Sequence, residues 1–190
     1  MISLGAAPPD LTGLYSIFGT PLTEVPHARF CPAEEVPEPF RRLLDHEEHM
    51  TVRMEERHGS PLRLKIIEET SEGNWYARKI LLLHGANDRV LQFGIMRFNF
   101  DWCSPEIREA IRRGDTPVGR ILIEHDVLRR ISTHALMKIV PNAELREVFG
   151  LPARQARDGS APRYAYGRLA TIYCNEEPAV DLLEIPSPSS

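Results

Sequence analysis

The sequence predicts an α+β domain, an antiparallel sheet of about six strands flanked by helices, and three observations predict it. Residues 62–100 hold three runs of strand-type residues separated by turn clusters, so successive strands meander. Ser104-Pro105-Glu106 and Thr116-Pro117 then supply two helix starts in quick succession. Two last apolar runs, 164–174 and 179–185, face each other across Asn175-Glu176-Glu177-Pro178 as a hairpin.

Taken in chain order, residues 1–39 form a proline-rich N-terminal arm. Pro8, Pro9, Pro21, Pro26, Pro32, Pro37 and Pro39 remove backbone donors and bias the residues before them away from helix. Leu11, Leu14, Tyr15, Ile17 and Phe18 give the arm enough apolar surface for one short helix or for bracing a sheet edge. Phe40, Leu43 and Leu44 recur at helical spacing; after a kink at His49-Met50-Thr51, Thr51 is expected to cap a second helix ending near Gly59. Leu62, Leu64 and Ile66 begin the first strand of the meander. Ser71-Glu72-Gly73-Asn74 turns it into Trp75 to Leu83, and Gly85-Ala86-Asn87-Asp88 turns that into Val90 to Phe100. The helix capped by Ser104 runs to Arg113 and stops at Gly114. The next carries Ile121 and Leu122 toward the core. Residues 151–163 are polar and read as a mobile loop, and 187–190 read as a frayed C-terminus.

The chain has 190 residues, 42% hydrophobic and 26% charged, which suits one globular domain with a real core. Its 23 Lys and Arg against 27 Asp and Glu give a net charge of -4, so neutralising nucleic-acid phosphates is not its main business. Any anion it binds has to be held by a local site. Cys31, Cys103 and Cys174 are odd in number and widely separated, forming neither a disulfide ladder nor a zinc-ligand pair. The first ten residues lack the basic start of a secretory signal. No apolar run approaches the roughly 20 residues that cross a bilayer. A cytoplasmic protein without membrane insertion, monomeric, is the expectation.

Several attractive motifs fail on their chemistry. His46-Glu47-Glu48-His49 spaces its histidines three apart, where the zinc-protease motif needs four, so no metal is expected. Gly114 to Gly119 lacks the lysine of a phosphate loop, and no serine or cysteine sits in a nucleophile pattern. Arg78 is more informative. Strand alternation puts either Arg78 or Lys79 on a covered face, where a guanidinium needs an anion; the alternative is an exposed or salt-bridged arginine. Glu184, between Leu183 and Ile185, either points to water or lies in a partly apolar pocket. Met50 and Val118 each sit beside a predicted helix start, where free backbone N–H groups and the helix dipole favour a carboxylate.

In order and spacing, five segments between residues 40 and 186 resemble the chorismate pyruvate-lyase family, in its branch known as a conserved uncharacterised domain. They are His49-Met50-Thr51, Tyr76-Ala77-Arg78-Lys79-Ile80-Leu81-Leu82, Thr116-Pro117-Val118-Gly119-Arg120-Ile121-Leu122, Tyr166-Gly167-Arg168 and Leu183-Glu184-Ile185-Pro186. The resemblance implies a chorismate lyase-like domain over 40–186 that eliminates pyruvate from chorismate to give 4-hydroxybenzoate without a cofactor. It implies that Arg78 and the backbone amides of Met50 and Val118 hold the product's carboxylate beneath helical flaps. Glu184 then faces the ring hydroxyl, so Arg78 and Glu184 are the implied catalytic pair. Two departures stand out. The family's usual leucine is Val118, and the arginine that better-known members carry after the third-strand glycine is Ile95, following Gly94.

The reaction suits a chain with no metal or nucleophile motif, because aromatisation drives it and the protein supplies positioning and preorganised dipoles. The resemblance points to quinone synthesis, ubiquinone included, as the downstream use of 4-hydroxybenzoate. Other readings remain open. The same fold serves bacterial transcription regulators as a module that binds a small aromatic or sugar-like effector without converting it. Val118 and Ile95 are also compatible with a lyase giving another hydroxybenzoate from a chorismate relative, and a partner-binding protein with a decayed site is a further possibility.

Overall fold

The computed structural model describes residues 8–152 and 164–188. Seven strands form one sheet in the order β1-β5-β6-β7-β4-β3-β2, with every adjacent pair antiparallel. They are β1 His27–Phe30, β2 Leu62–Glu72, β3 Trp75–His84, β4 Val90–Asn99, β5 Arg129–Val140, β6 Ala165–Cys174 and β7 Glu177–Pro186. The helices are α1 Leu11–Ser16, α2 Phe40–Leu44, α3 Met50–His58, α4 Pro105–Arg113, α5 Val118–Glu124 and α6 Ala143–Val148. The α+β class and the antiparallel sheet expected from the sequence are those observed. The expected mobile loop at 151–163 falls almost wholly outside the described residues. Among the described residues no helix is long and apolar enough to cross a membrane.

Both faces of the sheet are covered, because alternate residues of the central strands are apolar on each side. On one face Leu81, Phe93, Ile95, Leu183 and Ile185 pack against Leu14 and Tyr15 of α1 and Leu145 of α6. On the other, Met96, Phe98, Ile131, Ile172 and Val180 pack beneath Ile107 and Ile111 of α4 and Ile121 and Leu122 of α5. Leu43 and Leu44 of α2 and Met50 and Met54 of α3 cover the remainder, with Leu91 and Leu136. The functional residues lie on this second face.

The proline-rich arm supplies both of the structures its composition allows. α1 lies on the sheet, and β1 pairs with β5 at the edge. Cys31 and Val36 share a cluster with Leu43 and Leu44, so the packing is continuous across residue 39. Thr51 does not cap α3. The cap position is His49, which makes no side-chain cap hydrogen bond, and the helix begins one residue before Thr51. β2 runs to Glu72, through much of the expected turn, and a bulge between Ile66 and Glu68 turns Ile67 out of the alternation. At the other end, Ser187 is not frayed. It is 3% exposed and its backbone N–H donates to Leu91 O at 2.8 Å, extending the ordered chain past Pro186.

The β6–β7 hairpin turns on Asn175 and Glu176, both at positive φ (51° and 68°), the two-residue geometry that matches strand twist. Opposite its end, Gly167 lies so close to β7 that a Cβ there would stand 2.9 Å from Glu184 O and 3.0 Å from Ile185 Cγ1. Gly167→Ala is therefore expected to cost about 1–3 kcal/mol by forcing β6 and β7 apart, measurable as a lowered midpoint in urea unfolding.

Candidate active site

On the face beneath α3 and α5, one register row across the central strands ends in two charged residues. Ile80, Gly94, Glu184 and Arg168 are successive register partners across β3, β4, β7 and β6. Two residues along the strands on one side stands Arg78, paired with Met96; two residues along on the other stands Gln92, paired with Leu82 and Pro186. Period-two alternation puts all of these on one face. All of these except Gly94 and Pro186 line a partly enclosed cavity of about 50 Å³, roofed by His49, Met50 and Thr51 of the α3 start and by Pro117, Val118 and Gly119 of the α5 start. The four residues singled out in the sequence, Met50, Arg78, Val118 and Glu184, thus meet in one chamber.

Arg78 is completely buried. Its Nη1 donates to Ile111 O at 3.2 Å and its Nη2 to Thr116 O at 3.4 Å, while its Nε has no partner. Burial pulls its proton affinity below the ordinary arginine value, and Tyr76 pulls it back up. An arginine keeps its proton in a protein, so this is a buried cation whose hydrogen-bond partners are neutral carbonyls. Lys79 is buried too, on the opposite face, so the expected choice between the two gives way to a sheet covered on both sides. Lys79 has carboxylates of its own, Glu68 at 2.9 Å and Glu144 at 3.0 Å. Burial lowers its pKa, but these partners outweigh it and the net shift is upward.

Glu184 does not point to water: it lies in the partly apolar chamber, beside an arginine. Its Oε2 accepts from Nε of Arg168 at 2.6 Å, an ion pair buried in the chamber wall. Arg168 also donates through Nη1 to His46 O at 2.7 Å and through Nη2 to Glu48 O at 3.2 Å. One guanidinium therefore orients Glu184 and anchors the segment between α2 and α3. Nothing in the sequence alone assigned Arg168 a role, since only the β6 position between β5 and β7 buries it.

The roof is tied together as a unit. Arg120 of α5 pairs with Glu55 of α3. The His49 ring lies against Gly119, where a Cβ would approach its Nδ1 to 2.7 Å, and His49 Nε2 accepts from Arg129 Nε at 2.9 Å. α1, α4 and α6 start with side-chain caps from Asp10, Ser104 and Asn142, whereas α3 and α5 have none. Their first backbone N–H groups are left to the chamber. A larger open groove of about 720 Å³ adjoins it, sharing His49 and Ile131 with the chamber wall.

His46 and His49 were set aside as metal ligands, and each ring is engaged otherwise: His46 Nε2 contacts Leu43 O at 2.7 Å. Burial, reinforced by Arg168 for His46 and by Arg129 and Arg168 for His49, pushes both pKa values down to about 4. Ile95, the family departure expected to reshape the pocket, does not reach it: it packs with α1 and α6 on the far face. Of the two departures only Val118 forms chamber wall.

No family model matches the sequence, and no curated protein does. Solved structures match through the fold. PhnF from Mycobacterium smegmatis superposes with a TM-score of 0.54 at 8% identity, over 72% of this chain and 63% of that one. The effector domain of PhnF gives 0.50 at 10% identity, over 75% and 90%. The chain thus spans about 63% of the length of the PhnF chain it matches. The α+β fold, a seven-stranded antiparallel sheet with helices, is of the chorismate lyase-like kind used by such effector domains.

Two measurements test this geometry. Removing one partner of a buried pair strands the other, so Arg168→Ala is expected to cost about 3–5 kcal/mol in urea unfolding, and Arg168→Met with Glu184→Leu much less than that single change. The histidines set an acid dependence. Each binds a proton more readily in the unfolded chain, at its ordinary value of 6.5, than in the folded one, at about 4. Their contribution to stability is therefore full above about pH 6.5 and is lost as pH falls toward 4. Calorimetric Tm values across that window should decline less steeply in His49→Gln, which keeps an acceptor for Arg129.

Proposed function

We infer that the chamber receives a small aromatic carboxylate and that the protein is a chorismate pyruvate-lyase needing no cofactor. The observation that carries the inference is Arg78: a buried cation with an unpartnered Nε and, among the described residues, no carboxylate hydrogen-bonded to it, lining the same cavity as Glu184. A substrate carboxylate would compensate that charge and pair with the vacant Nε. The unshared amides of Met50 and Val118 would share the same anion. Arg78 and Glu184 stand two strand spacings and one two-residue step apart, about 10 Å and about 7 Å, a span that two long side chains can bridge around a para-substituted ring.

In this reading chorismate binds with its ring carboxylate at Arg78 and its hydroxyl at Glu184. The ring carbon bearing the hydroxyl loses its hydrogen as a proton, the ether bond at the adjacent carbon breaks, and the enolpyruvyl group departs to become pyruvate on taking up a proton. The ring left behind is aromatic. Glu184, held in place by Arg168, orients the hydroxyl, and the helix starts and Arg78 stabilise the dianion as its charge redistributes. A cavity of about 50 Å³ is small beside the roughly 300–1,000 Å³ of typical ligand sites, so the tied roof of α3 and α5 has to part for entry and exit. Product release then limits turnover. A cytoplasmic, monomeric enzyme supplying 4-hydroxybenzoate, for ubiquinone or another aromatic metabolite, belongs to the same proposal.

The second reading is a binding module that holds an aromatic effector without converting it. The fold match to the PhnF effector domain favours it more directly than it favours catalysis. Both readings use the same chamber and differ in the fate of the ligand. Incubating the purified chain with chorismate, while following pyruvate by a coupled assay and 4-hydroxybenzoate by chromatography, separates them. Equimolar release of both products is expected. Saturable binding without release establishes the module instead, and release of a different hydroxybenzoate establishes a relative of the lyase.

The same assay tests the residues. Arg78→Ala is expected to weaken substrate and product binding by about 100-fold or more, the loss of a charge-assisted pair in a dry site. Glu184→Gln is expected to lower kcat more than it raises KM. Wild-type kinetics in both variants would remove the site assignment.

A further inference from the structure

One polar group in the chamber has no part in the proposed chemistry. Gln92 is 2% exposed, and its Oε1 is enclosed without a hydrogen-bond partner. It lines the cavity with Arg78, Arg168 and Glu184. Buried side-chain amides are nearly always satisfied, and an orphaned oxygen is a standing cost to the fold. An apolar residue on this strand would avoid that cost, since Leu82 beside it and Met96 farther along the same face are apolar.

The register says what the amide faces. Gly94 pairs with Glu184, and Gln92 lies two residues beyond Gly94, opposite Pro186. Gln92 is thus diagonal to Glu184 across one strand pair, roughly 7–8 Å between backbones and within reach of a long side chain. Arg78 lies at the other end, level with Met96. A ligand anchored by its carboxylate at Arg78 therefore presents its far end to Glu184 and Gln92 together.

We propose that Gln92 is a specificity-determining residue that reads a hydrogen-bonding group on the ligand's far end, opposite its carboxylate. It selects hydroxylated over unsubstituted benzoates. This deepens the reading of the chamber as an aromatic-carboxylate site and rests on it. The selection has a physical basis: a hydroxyl at that end satisfies the amide, whereas a bare ring edge leaves it unpaired and dry, and sites built around a hydrogen bond reject analogues lacking it.

The experiment is calorimetric titration of the full chain with benzoate and with 4-hydroxybenzoate, in wild type, Gln92→Leu and Gln92→Met, together with Tm values measured without ligand. Wild type is expected to bind 4-hydroxybenzoate about tenfold or more tighter than benzoate. In both variants that ratio should narrow by about threefold or more, with benzoate bound no more weakly than before. Replacing the orphaned oxygen by an apolar group should raise Tm by about 2–4 °C, the shift that roughly 1 kcal/mol produces in a chain of this length. An unchanged ratio in both variants overturns the assignment. So does a lowered Tm or failure to fold in both, which would make Gln92 structural. If wild type binds both ligands without discrimination, the assignment to Gln92 fails while the aromatic-carboxylate reading stands. If wild type binds neither ligand, the chamber reading itself fails, and this inference with it.

Discussion

A guanidinium withdrawn from water has to be compensated, and two such groups on one face of this sheet are treated in opposite ways. Arg168 is answered in full: Glu184 takes its Nε, and two carbonyls from the segment between α2 and α3 take its Nη groups. Arg78 donates to the carbonyls of Ile111 and Thr116, with Tyr76 beside it, and its Nε is left over. The first arrangement is structural, because it locks β6, β7 and the approach to α3 together. The second leaves a guanidinium with no hydrogen-bonded carboxylate in the wall of a small cavity. A fold does not gain stability from such an arrangement, and it makes the chamber selective for an anion.

The helix ends follow the same division. Where α1, α4 and α6 begin, a side chain satisfies the exposed amides. Where α3 and α5 begin, at the chamber, none does, and none does at α2, which follows Pro39. Two uncapped helix starts, an orphaned guanidinium nitrogen and an orphaned amide oxygen all meet in one cavity, so the local cost to the fold is concentrated where a ligand would relieve it. The packing of His49 on Gly119, with the ion pair between Glu55 and Arg120, links the two roof helices, so opening them is one event rather than two. Neutral imidazoles suit this position, because a charged one would face Arg129 or Arg168 across a few ångströms.

Much of the framework was legible because it is local. Ser104, Pro105 and Gly114 punctuate α4 through short-range hydrogen bonds and backbone sterics. Thr116-Pro117 marks α5, and strand alternation marks β3 and β4. β5 carries no clear signal in the sequence, although it is the longest strand among the described residues. Its bulge between Thr133 and Ala135 breaks the period of two, and a patterned strand is recognised only by that period. Thr51 has the residue type of a cap, whereas the chain turns into the helix earlier, with His49 at the cap position. The order at Ser187 is not legible locally, because the carbonyl that holds its N–H is that of Leu91, far away in sequence.

For the candidate site, the residue types at Met50, Arg78, Val118 and Glu184 were recognisable as a set through family resemblance, and their chemistry as anion binders through helix ends and charge within strands. Their convergence was not, nor were the roles of Arg168, His49 and Gln92. Those depend on which strands become neighbours: β7 inserts between β6 and β4, so the last segment of the chain joins the first hairpin to the later strands. The sequence by itself determined the locally capped and patterned elements, such as α4, α5, β3 and β4, and which positions carry charge, since those follow from contacts within a few residues. Only the tertiary structure decided which charges are buried, which are paired and which face an enclosed space, because desolvation depends on everything packed around a group and not on its place along the chain.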